Sequence, residues 1–176
     1  DISSMMVAET AAPEKNSYII DVCAAPGGKS LHLADKLAFA EKEYTGIKGH
    51  VEARDLTDYK VNLIWENIMR SGMKNIEAVR FDATVLDEAS VEKADVVVAD
   101  LPCSGLGVLG KKTDLKYKMT EKTQDDLVAL QRDILSKVKN LPSGLWLKNT
   151  VRKVSRAILF IPALPTERNT AVCFPQ

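Results

Sequence analysis

The sequence predicts a doubly wound α/β fold built on a mostly parallel sheet. Short β-branched segments alternate with longer segments of helical spacing, which is the pattern of consecutive strand and helix units. The segment ADVVVAD carries an uninterrupted apolar run from Val96 to Ala99, as expected of a parallel strand buried on both faces. Four strand segments in turn lead into an aspartate. With 176 residues, 45% of them hydrophobic, the chain is expected to form a single domain over residues 1–176.

The N-terminal part of the chain predicts a helix, a strand and a second helix. Ser3 or Ser4 is expected to cap a short helix that runs through Met5 to Val7 and ends before Pro13. The segment SYIIDVC is a β-branched run that predicts a strand, which stops at a glycine-rich turn. The following SLHLADKLAFAEK has apolar residues at helical spacing.

Three further strands and two helices are predicted downstream. The strands are expected in GHVEARD, IEAVRFD and ADVVVAD. The helix LTDYKVNLIWENIMRSG is expected to end at Gly72 and to bury one face, made of Val61, Ile64, Trp65 and Ile68. The last predicted helix, EKTQDDLVALQRDILSKVKN, places these apolar residues at helical spacing: Leu127, Leu130, Ile134, Leu135 and Val138.

An aspartate stands at the end of each predicted strand: Asp21, Asp55, Asp82 and Asp100. The carboxyl ends of parallel strands meet at one edge of an open sheet, where ligands bind beside the switch in strand order. Aspartates also end strands and cap helices for structural reasons alone, and this second interpretation fits any one of the four equally well. Their succession at four strand ends favours a ligand site.

Composition excludes several classes of protein. Lys plus Arg and Asp plus Glu number 24 each, so nucleic-acid binding would have to come from a local patch. No apolar run of about 18 residues and no leader are present, so neither a membrane span nor a signal peptide is expected. Cys23, Cys103 and Cys173 are few and far apart, which predicts no disulfide framework, no metal site and a reducing compartment, the cytoplasm. The missing start methionine predicts a fragment or a processed chain.

The turn CAAPGGKS is expected to hold an anionic group. Gly27 and Gly28 allow the main chain to approach a ligand closely, and Pro26 stiffens the entry to the turn. Backbone amides at the start of the next helix attract a carboxylate or a phosphate. The glycine patterns of nucleoside triphosphate and dinucleotide sites are not matched. A ligand with a carboxylate at the turn and ribose hydroxyls at Asp55 fits better, and S-adenosylmethionine has this shape.

Two motifs occur together in this chain: DVCAAPGGKS after the first strand and DLPCSGLG after the fourth. With DISS at the start and KKTDLKY after the cysteine loop, they resemble the Sun (Fmu-type) family of RNA cytosine-carbon-5 methyltransferases, which act on ribosomal and transfer RNA. The resemblance covers about residues 1–140 in one order and spacing. It implies a Rossmann-like class I methyltransferase fold, S-adenosylmethionine as cofactor and RNA as partner, ribosomal RNA before transfer RNA. The additional RNA-binding region that the family usually carries is expected to be absent from this chain.

The resemblance implies roles for named residues. Asp55 is expected to bind the cofactor ribose, Asp82 to lie near the adenine, and Asp100 to lie beside the methionine part and the target base. Lys29 is expected close to the cytosine, and Cys23 to present its backbone to the ligand while its thiol faces the core. The first motif as a whole is expected to bind the cofactor through Cys23, Ala24, Ala25, Pro26, Gly27, Gly28 and Lys29.

The implied chemistry requires cysteine. A thiolate adds to carbon-6 of a flipped cytosine, carbon-5 attacks the methyl sulfonium, and loss of the carbon-5 proton expels the thiolate. The family uses a nucleophile in a Thr-Cys motif after the fifth strand and a second cysteine, in Pro-Cys-Ser, that helps to release the product. Cys103 matches the second, so Cys103, Lys29 and Asp100 are the expected catalytic residues. A buried small side chain is the alternative for Cys103, but Pro102 and the glycines that follow favour an exposed loop.

The sequence departs from the family pattern after about Asn140. In one interpretation AILF is the fifth strand, and Ile161 to Leu164 stand where the nucleophile motif should follow. In the other, LPTERNT corresponds to the closing strand region and the segment with the nucleophile is absent. Neither leaves a Thr-Cys pair in the chain, and the setting of Cys173 does not match. Residues 141–176 are therefore expected to be divergent, truncated or frameshifted, so that the fold is complete or lacks its C-terminal part.

Lysines follow the cysteine loop in GKKTDLKYKMTEK. Lys111, Lys112 and Lys116 are expected to contact RNA phosphates, with Tyr117 available to stack on a base. A solvated loop is the alternative, but the position directly after Cys103 favours RNA.

Two other functions stay open from the sequence. A non-catalytic module would hold cofactor or RNA and transfer nothing, and a small-molecule methyltransferase would bind its substrate without competition from RNA. Loss of the releasing cysteine often traps an enzyme of this family on its RNA as a covalent adduct. A binding module would form no adduct.

Overall fold

The computed structural model describes residues 2–41, 48–102, 121–142 and 157–160. Within these residues the strands form one sheet in the order β3-β2-β1-β4-β5, and every neighbouring pair is parallel. The strands are β1 (Tyr18–Asp21), β2 (His50–Asp55), β3 (Ile76–Arg80), β4 (Val96–Asp100) and β5 (Ala157–Phe160). The chain winds outward from β1 in one direction to β3 and then returns to the other side of β1 as β4. The predicted doubly wound α/β fold is therefore confirmed.

Helices cover both faces of this sheet. They are α1 (Ile2–Ala11), α2 (Gly28–Glu41), α3 (Asp58–Ser71) and α4 (Glu121–Val138), with a short 3-10 turn at Glu88–Ser90. Buried side chains of α1, α2 and α3 pack together against one face of the sheet. Buried side chains of α4, Ile134 and Val138, pack against the other face.

The central strands bury both of their faces. In β1, Ile19 belongs to the core under α1, α2 and α3, whereas Ile20 belongs to the core under α4. Their partners in β4 alternate in the same way, because Ile19 is in register with Val96 and Ile20 with Val97. The apolar run in β4 thus arises from burial on both sides, as the sequence predicts.

Strand β2 carries a buried arginine, Arg54. The Arg54 guanidinium, 3% exposed, forms ion pairs with Glu52 at 2.6 Å and with Asp87 at 2.9 Å, and it lies 4.8 Å from the centre of the Phe81 ring. Burial opposes its charge and is the largest single effect, but the hydrogen bonds and charges of Glu52 and Asp87 together outweigh it and raise the pKa of Arg54. This cluster attaches the β3–β4 connection to the middle of the sheet.

Two details of the predicted elements are wrong. Neither Ser3 nor Ser4 caps α1, because the helix already begins at Ile2. Trp65 is 55% exposed, because it lies about 100° around α3 from the buried Ile64.

The ends of α3 and β3 are also defined by the structure. Gly72 ends α3 in a left-handed conformation with φ 72°, which confirms the predicted stop. β3 ends at Arg80, two residues before Asp82. The segment AILF forms β5 beside β4, as the first interpretation of the tail predicts. The four residues that follow it lie outside the described part of the chain.

No helix among the described residues is long and apolar enough to cross a membrane. The same part of the chain contains no group of three or more His, Cys, Asp or Glu side chains placed to hold a metal ion.

Candidate functional site

A cleft of about 340 Å³ opens where β1 and β4 end. This is the point at which the strand order reverses, the usual ligand position in an open α/β sheet. Its floor comes from the two strand ends and the β1–α2 turn, and its side from α1 and the first turns of α2. The lining residues are Ser4, Met5, Asp21, Cys23, Ala24, Ala25, Pro26, Gly28, Lys29, His32 and Asp100.

The β1–α2 turn has the conformation that its glycines permit. Gly27 has φ +100° and a Cβ at this position would meet Ile64 Cγ2 at 3.3 Å, so both the backbone angle and the packing require glycine. The Gly27 N–H donates to the Ala24 carbonyl at 2.7 Å, and its own carbonyl accepts from the Leu31 N–H at 2.9 Å. At Gly28 a Cβ would meet nothing within 4 Å. The turn thus fits α3 tightly on one side and leaves open space at Gly28.

Neighbouring elements hold the turn in place. The Ala24 N–H donates to the Arg54 carbonyl at 2.8 Å, and the Ala25 N–H donates to Asp55 Oδ2 at 3.1 Å. Asn67 of α3 donates from Nδ2 to the Pro26 carbonyl at 2.7 Å. The turn is therefore fixed to β2 and α3 before any ligand is bound.

Lys29 and Asp100 form an ion pair inside the cleft. The Lys29 Nζ lies 2.6 Å from Asp100 Oδ2, and the side chains are 21% and 33% exposed. Lys29 comes from the first turn of α2 and Asp100 from the end of β4, so the pair bridges the two sides of the switch point. Both residues remain accessible to a substrate.

Asp21 lies beneath this pair and is almost completely buried, with 1% of its surface exposed. Its Oδ2 accepts a hydrogen bond from the Ser30 hydroxyl at 2.6 Å. The Cys23 N–H is close enough to lower the pKa of this carboxyl, yet Oδ1 has no hydrogen-bond partner among the described residues. Burial nevertheless raises the pKa of Asp21 to about 6, against the opposing effect of the Ser30 hydrogen bond.

Cys23 contacts both the cleft and the core. Its side chain packs against the apolar cluster under α4, and the residue also lines the cleft. Burial, reinforced by the charge of Asp21, raises the pKa of its thiol to about 12. A thiol with this pKa is not a nucleophile at neutral pH, so Cys23 does not replace the missing Thr-Cys cysteine.

Asp55 and Asp82 lie at the same sheet edge but, within the described residues, neither lines the cleft. The buried Asp55 accepts from the Ala25 and Leu56 N–H groups and pairs with Lys60 at 3.0 Å. Asp82 accepts from the hydroxyl and the N–H of Thr84, and these hydrogen bonds lower its pKa. The four strand-end aspartates therefore divide into two that face the cleft, Asp21 and Asp100, and two that hold local structure.

The remaining predicted site residues lie outside the described residues: Cys103, Lys111, Lys112 and Lys116. The structure does define where their segment begins. Leu101 is buried, and the Pro102 carbonyl accepts a hydrogen bond at 2.8 Å from Gln131 of α4. The chain is thus fixed next to Asp100 as far as Pro102.

Several residues that line or support the cleft were not expected from the sequence. Ser4, Met5 and His32 line the cleft, Ser30 binds the buried Asp21, and Asn67 holds the turn. Only Ser30 had a local signal, since it directly follows the Gly-Gly-Lys motif. The others reach the site through long-range packing that no spacing in the sequence reveals.

Comparisons with known proteins identify the family. A family described as "16S rRNA methyltransferase RsmB/F" matches residues 8–145. The chain is 39% identical over 144 residues to a probable ribosomal RNA small subunit methyltransferase B of Bacillus subtilis. The matched region covers 80% of this chain and 30% of that protein. It is 37% identical over 110 residues to a tRNA (cytosine(72)-C(5))-methyltransferase of Pyrococcus horikoshii, covering 62% of this chain and 26% of that protein.

A solved structure agrees with these relatives. The crystal structure of NSun6 from Pyrococcus horikoshii with SFG superposes with a TM-score of 0.64 at 31% identity, covering 79% of this chain and 33% of that one. The chain spans only 30% of the length of the Bacillus relative. Because the family match extends over most of the sequence and includes the β1–α2 turn, Lys29 and Asp100, the chain belongs to the RsmB/F family of 16S rRNA methyltransferases.

Proposed function

We propose that this chain is the cofactor-binding part of an enzyme that transfers a methyl group from S-adenosylmethionine to carbon-5 of cytosine in RNA. The observation that carries the proposal is the Lys29–Asp100 ion pair, held at 2.6 Å in an open cleft at the switch point of the sheet. Relatives that share this region are named as methyltransferases of ribosomal RNA and of transfer RNA. Ribosomal RNA is the proposed substrate, because the matching family is one of 16S rRNA methyltransferases.

The residues of the cleft fit S-adenosylmethionine. The volume of about 340 Å³ lies in the range of small-molecule sites, and the space beside Gly28 is open. The ligand SFG of the solved NSun6 is an S-adenosylmethionine analogue. Ala24 to Lys29 are proposed to hold the cofactor along the turn, with Asp100 beside its methionine part. When bound, S-adenosylmethionine supplies a methyl group activated by the positive charge of a sulfonium.

Asp55 and Asp82 are proposed to complete the cofactor site at its ribose and adenine. In this structure the Asp55 carboxylate is occupied by two N–H groups and Lys60. Binding of a ribose by Asp55 therefore requires that Lys60, whose side chain is 47% exposed, move away from the carboxylate. An exposed lysine exchanges such a contact for water at little cost.

Lys29 and Asp100 are proposed to bind the target base. An ammonium has three hydrogens to donate, and the contact with Asp100 uses one of them. Asp100 keeps Oδ1 as an acceptor for a group such as the cytosine amino group. Cys103 follows three residues after Asp100, and its proposed role is to release the product. Lys111, Lys112 and Lys116 are proposed to contact RNA phosphates, and the cytoplasm is the proposed location.

Isothermal titration calorimetry with S-adenosylmethionine tests the first half of the proposal. We expect binding to the wild-type chain and a loss of at least tenfold in affinity for Lys29→Met, which leaves Asp100 without its partner. Lys36→Met is the matched control, because Lys36 lies two turns along the same helix, pairs with Glu9 at 2.6 Å and does not line the cleft. Absence of binding at millimolar ligand would overturn the proposed cofactor.

The missing Thr-Cys pair favours a second candidate, a module that binds cofactor or RNA without transferring the methyl group. Radiolabelled methyl transfer to ribosomal RNA separates the two. Turnover by the wild-type chain identifies an enzyme. Without turnover, a covalent RNA adduct formed by Cys103→Ala still indicates a nucleophile, whereas cofactor binding with neither signal identifies the binding module.

A further inference from the structure

We propose that Asp21 provides an uncompensated negative charge beneath the cleft that makes the site prefer the cationic cofactor over the uncharged thioether left after methyl transfer. The inference rests on the proposed function and concerns a residue that the family resemblance does not assign. Asp21 acts in it as a positioning residue through its charge, without contact with the reacting atoms.

The position of Asp21 sets it apart from ordinary buried carboxylates. It is 1% exposed and lines the cleft from below. The Ser30 hydroxyl satisfies Oδ2 at 2.6 Å, but Oδ1 has no partner in the described part of the chain. Buried polar groups in folded proteins are nearly always hydrogen-bonded, and an exception calls for a functional explanation.

The charges around Asp21 leave it without a counterion. Lys29 of α2 lowers and Asp100 of β4 raises the pKa of Asp21, and these two side chains are paired with each other at 2.6 Å. The Cys23 thiol stays neutral because its pKa is about 12. Further along α2, Lys36 is engaged by Glu9 at 2.6 Å, and His32 lies 3.9 Å from the same Glu9. Among the described residues that line the cleft, the charges of Asp21, Lys29 and Asp100 therefore leave one net negative charge.

Asp21 carries this charge at neutral pH. Burial raises the pKa of the carboxyl to about 6, so the ionised form predominates above that pH. An unpaired buried charge destabilises the fold, and a neutral side chain of the same shape would avoid that cost. Costs of this kind concentrate at functional sites.

The cofactor and the product left after methyl transfer differ in charge, and a fixed charge near the site responds to that difference. S-adenosylmethionine carries one more positive charge than S-adenosylhomocysteine, at the sulfur atom. A fixed charge acts through space where water is excluded and the effective dielectric is low. Asp21 therefore stabilises the methyl donor more than the product, which favours exchange of product for new cofactor.

Calorimetry with both ligands at pH 8 tests the inference on the whole chain. In Asp21→Asn, which keeps the shape and removes the charge, we expect the preference for S-adenosylmethionine over S-adenosylhomocysteine to fall about tenfold, the order expected for an interaction between two unit charges in a partly buried site. Asp35→Asn removes an exposed charge from α2 and should leave the preference unchanged.

A second measurement does not require a substitution at Asp21. In His32→Gln, which removes the imidazole from the lining of the cleft, the preference should rise as the pH increases from 5 to 8, the range in which Asp21 becomes ionised. If no ligand binds to the wild-type chain, the proposed function fails and the inference with it. If the wild type binds both ligands but the preference is the same in Asp21→Asn, or does not change with pH, the inference alone is overturned.

Discussion

Two groups of aspartate and lysine residues at the same sheet edge differ in how many of their charged groups have partners. We call them the α3 corner, formed by Asp55 and Lys60, and the α2 corner, formed by Asp21, Lys29 and Asp100. At the α3 corner, Asp55 is buried and accepts from two backbone N–H groups and from Lys60. At the α2 corner, Lys29 pairs with Asp100 in the open cleft, while the buried Asp21 keeps one oxygen without a partner. The first corner is complete without a ligand, because every charge has its partners. At the second corner, a ligand that carries a positive charge or donates a hydrogen bond would supply the partner that Asp21 lacks among the described residues.

In the absence of a ligand, the α3 corner supports the β1–α2 turn, whereas the α2 corner is open to a ligand. Asp55 fixes the turn by holding the Ala25 N–H, and Asn67 holds it from the other side. The α2 corner contributes the groups that remain accessible, Lys29 and Asp100. Sites that must recognise a ligand are built on rigid elements with a supporting shell, and here the two corners divide those tasks.

The largest expected effect comes from breaking the complete corner. Asp55→Ala leaves two backbone N–H groups and Lys60 without their acceptor, and we expect a loss of about 3 kcal/mol in the free energy of unfolding. Urea denaturation measures it. Asp58→Ala is the matched control, since its ion pair with Arg80 is exposed and should be worth well under about 1 kcal/mol. Equal losses in the two variants would show that Asp55 does not support the turn.

At the α2 corner, we expect removal of an aspartate charge to increase the free energy of unfolding. A folded-state pKa of about 6, raised from 3.8, means that ionisation of Asp21 destabilises the fold. The cost is absent below about pH 4, grows as the pH rises to about 6 and is constant above that. Asp21→Asn removes it, so the ligand-free chain should gain at most roughly 3 kcal/mol at pH 8 and little at pH 4. Thermal unfolding at both values is the measurement, and a loss of stability at pH 8 would contradict the account of Asp21.

A smaller effect distinguishes the two glycines of the turn. Gly27→Ala forces a side chain into φ +100° against Ile64 and should cost about 2 kcal/mol. Gly28→Ala places its Cβ in open space, so stability should be preserved within about 0.5 kcal/mol while cofactor affinity falls. Denaturation and calorimetry on both variants separate folding from binding. Unchanged affinity in Gly28→Ala would remove Gly28 from the site.

The sequence predicts the scaffold better than the division of roles at its edge. Strand and helix order follows from apolar periodicity, which is why β1 to β4 and the stop at Gly72 agree with the structure. The four strand-end aspartates look equivalent in the sequence, because their spacing does not record which donors fold toward each of them. Thr84, two residues after Asp82, and Lys60, five residues after Asp55, decide that outcome locally. Asn67 does so from a distant helix.

The exposed Trp65 illustrates the same limit. Helical spacing places it beside Ile64 and Ile68, but the face of α3 that meets the sheet is narrower than the apolar stripe. The width of a buried face depends on the neighbouring element, which here is a sheet flanked by α2. Sequence periodicity alone does not contain that information.

The central claim is that the β1–α2 turn and the Lys29–Asp100 cleft form the cofactor site. Nuclear magnetic resonance of the isotope-labelled chain during titration with S-adenosylmethionine tests it residue by residue. We expect shifts concentrated at the backbone amides of Ala24, Ala25, Gly28 and Lys29, with Ser71 and Gly72 at the far end of α3 unchanged. Shifts confined to other parts of the molecule, or none at millimolar ligand, would contradict the account.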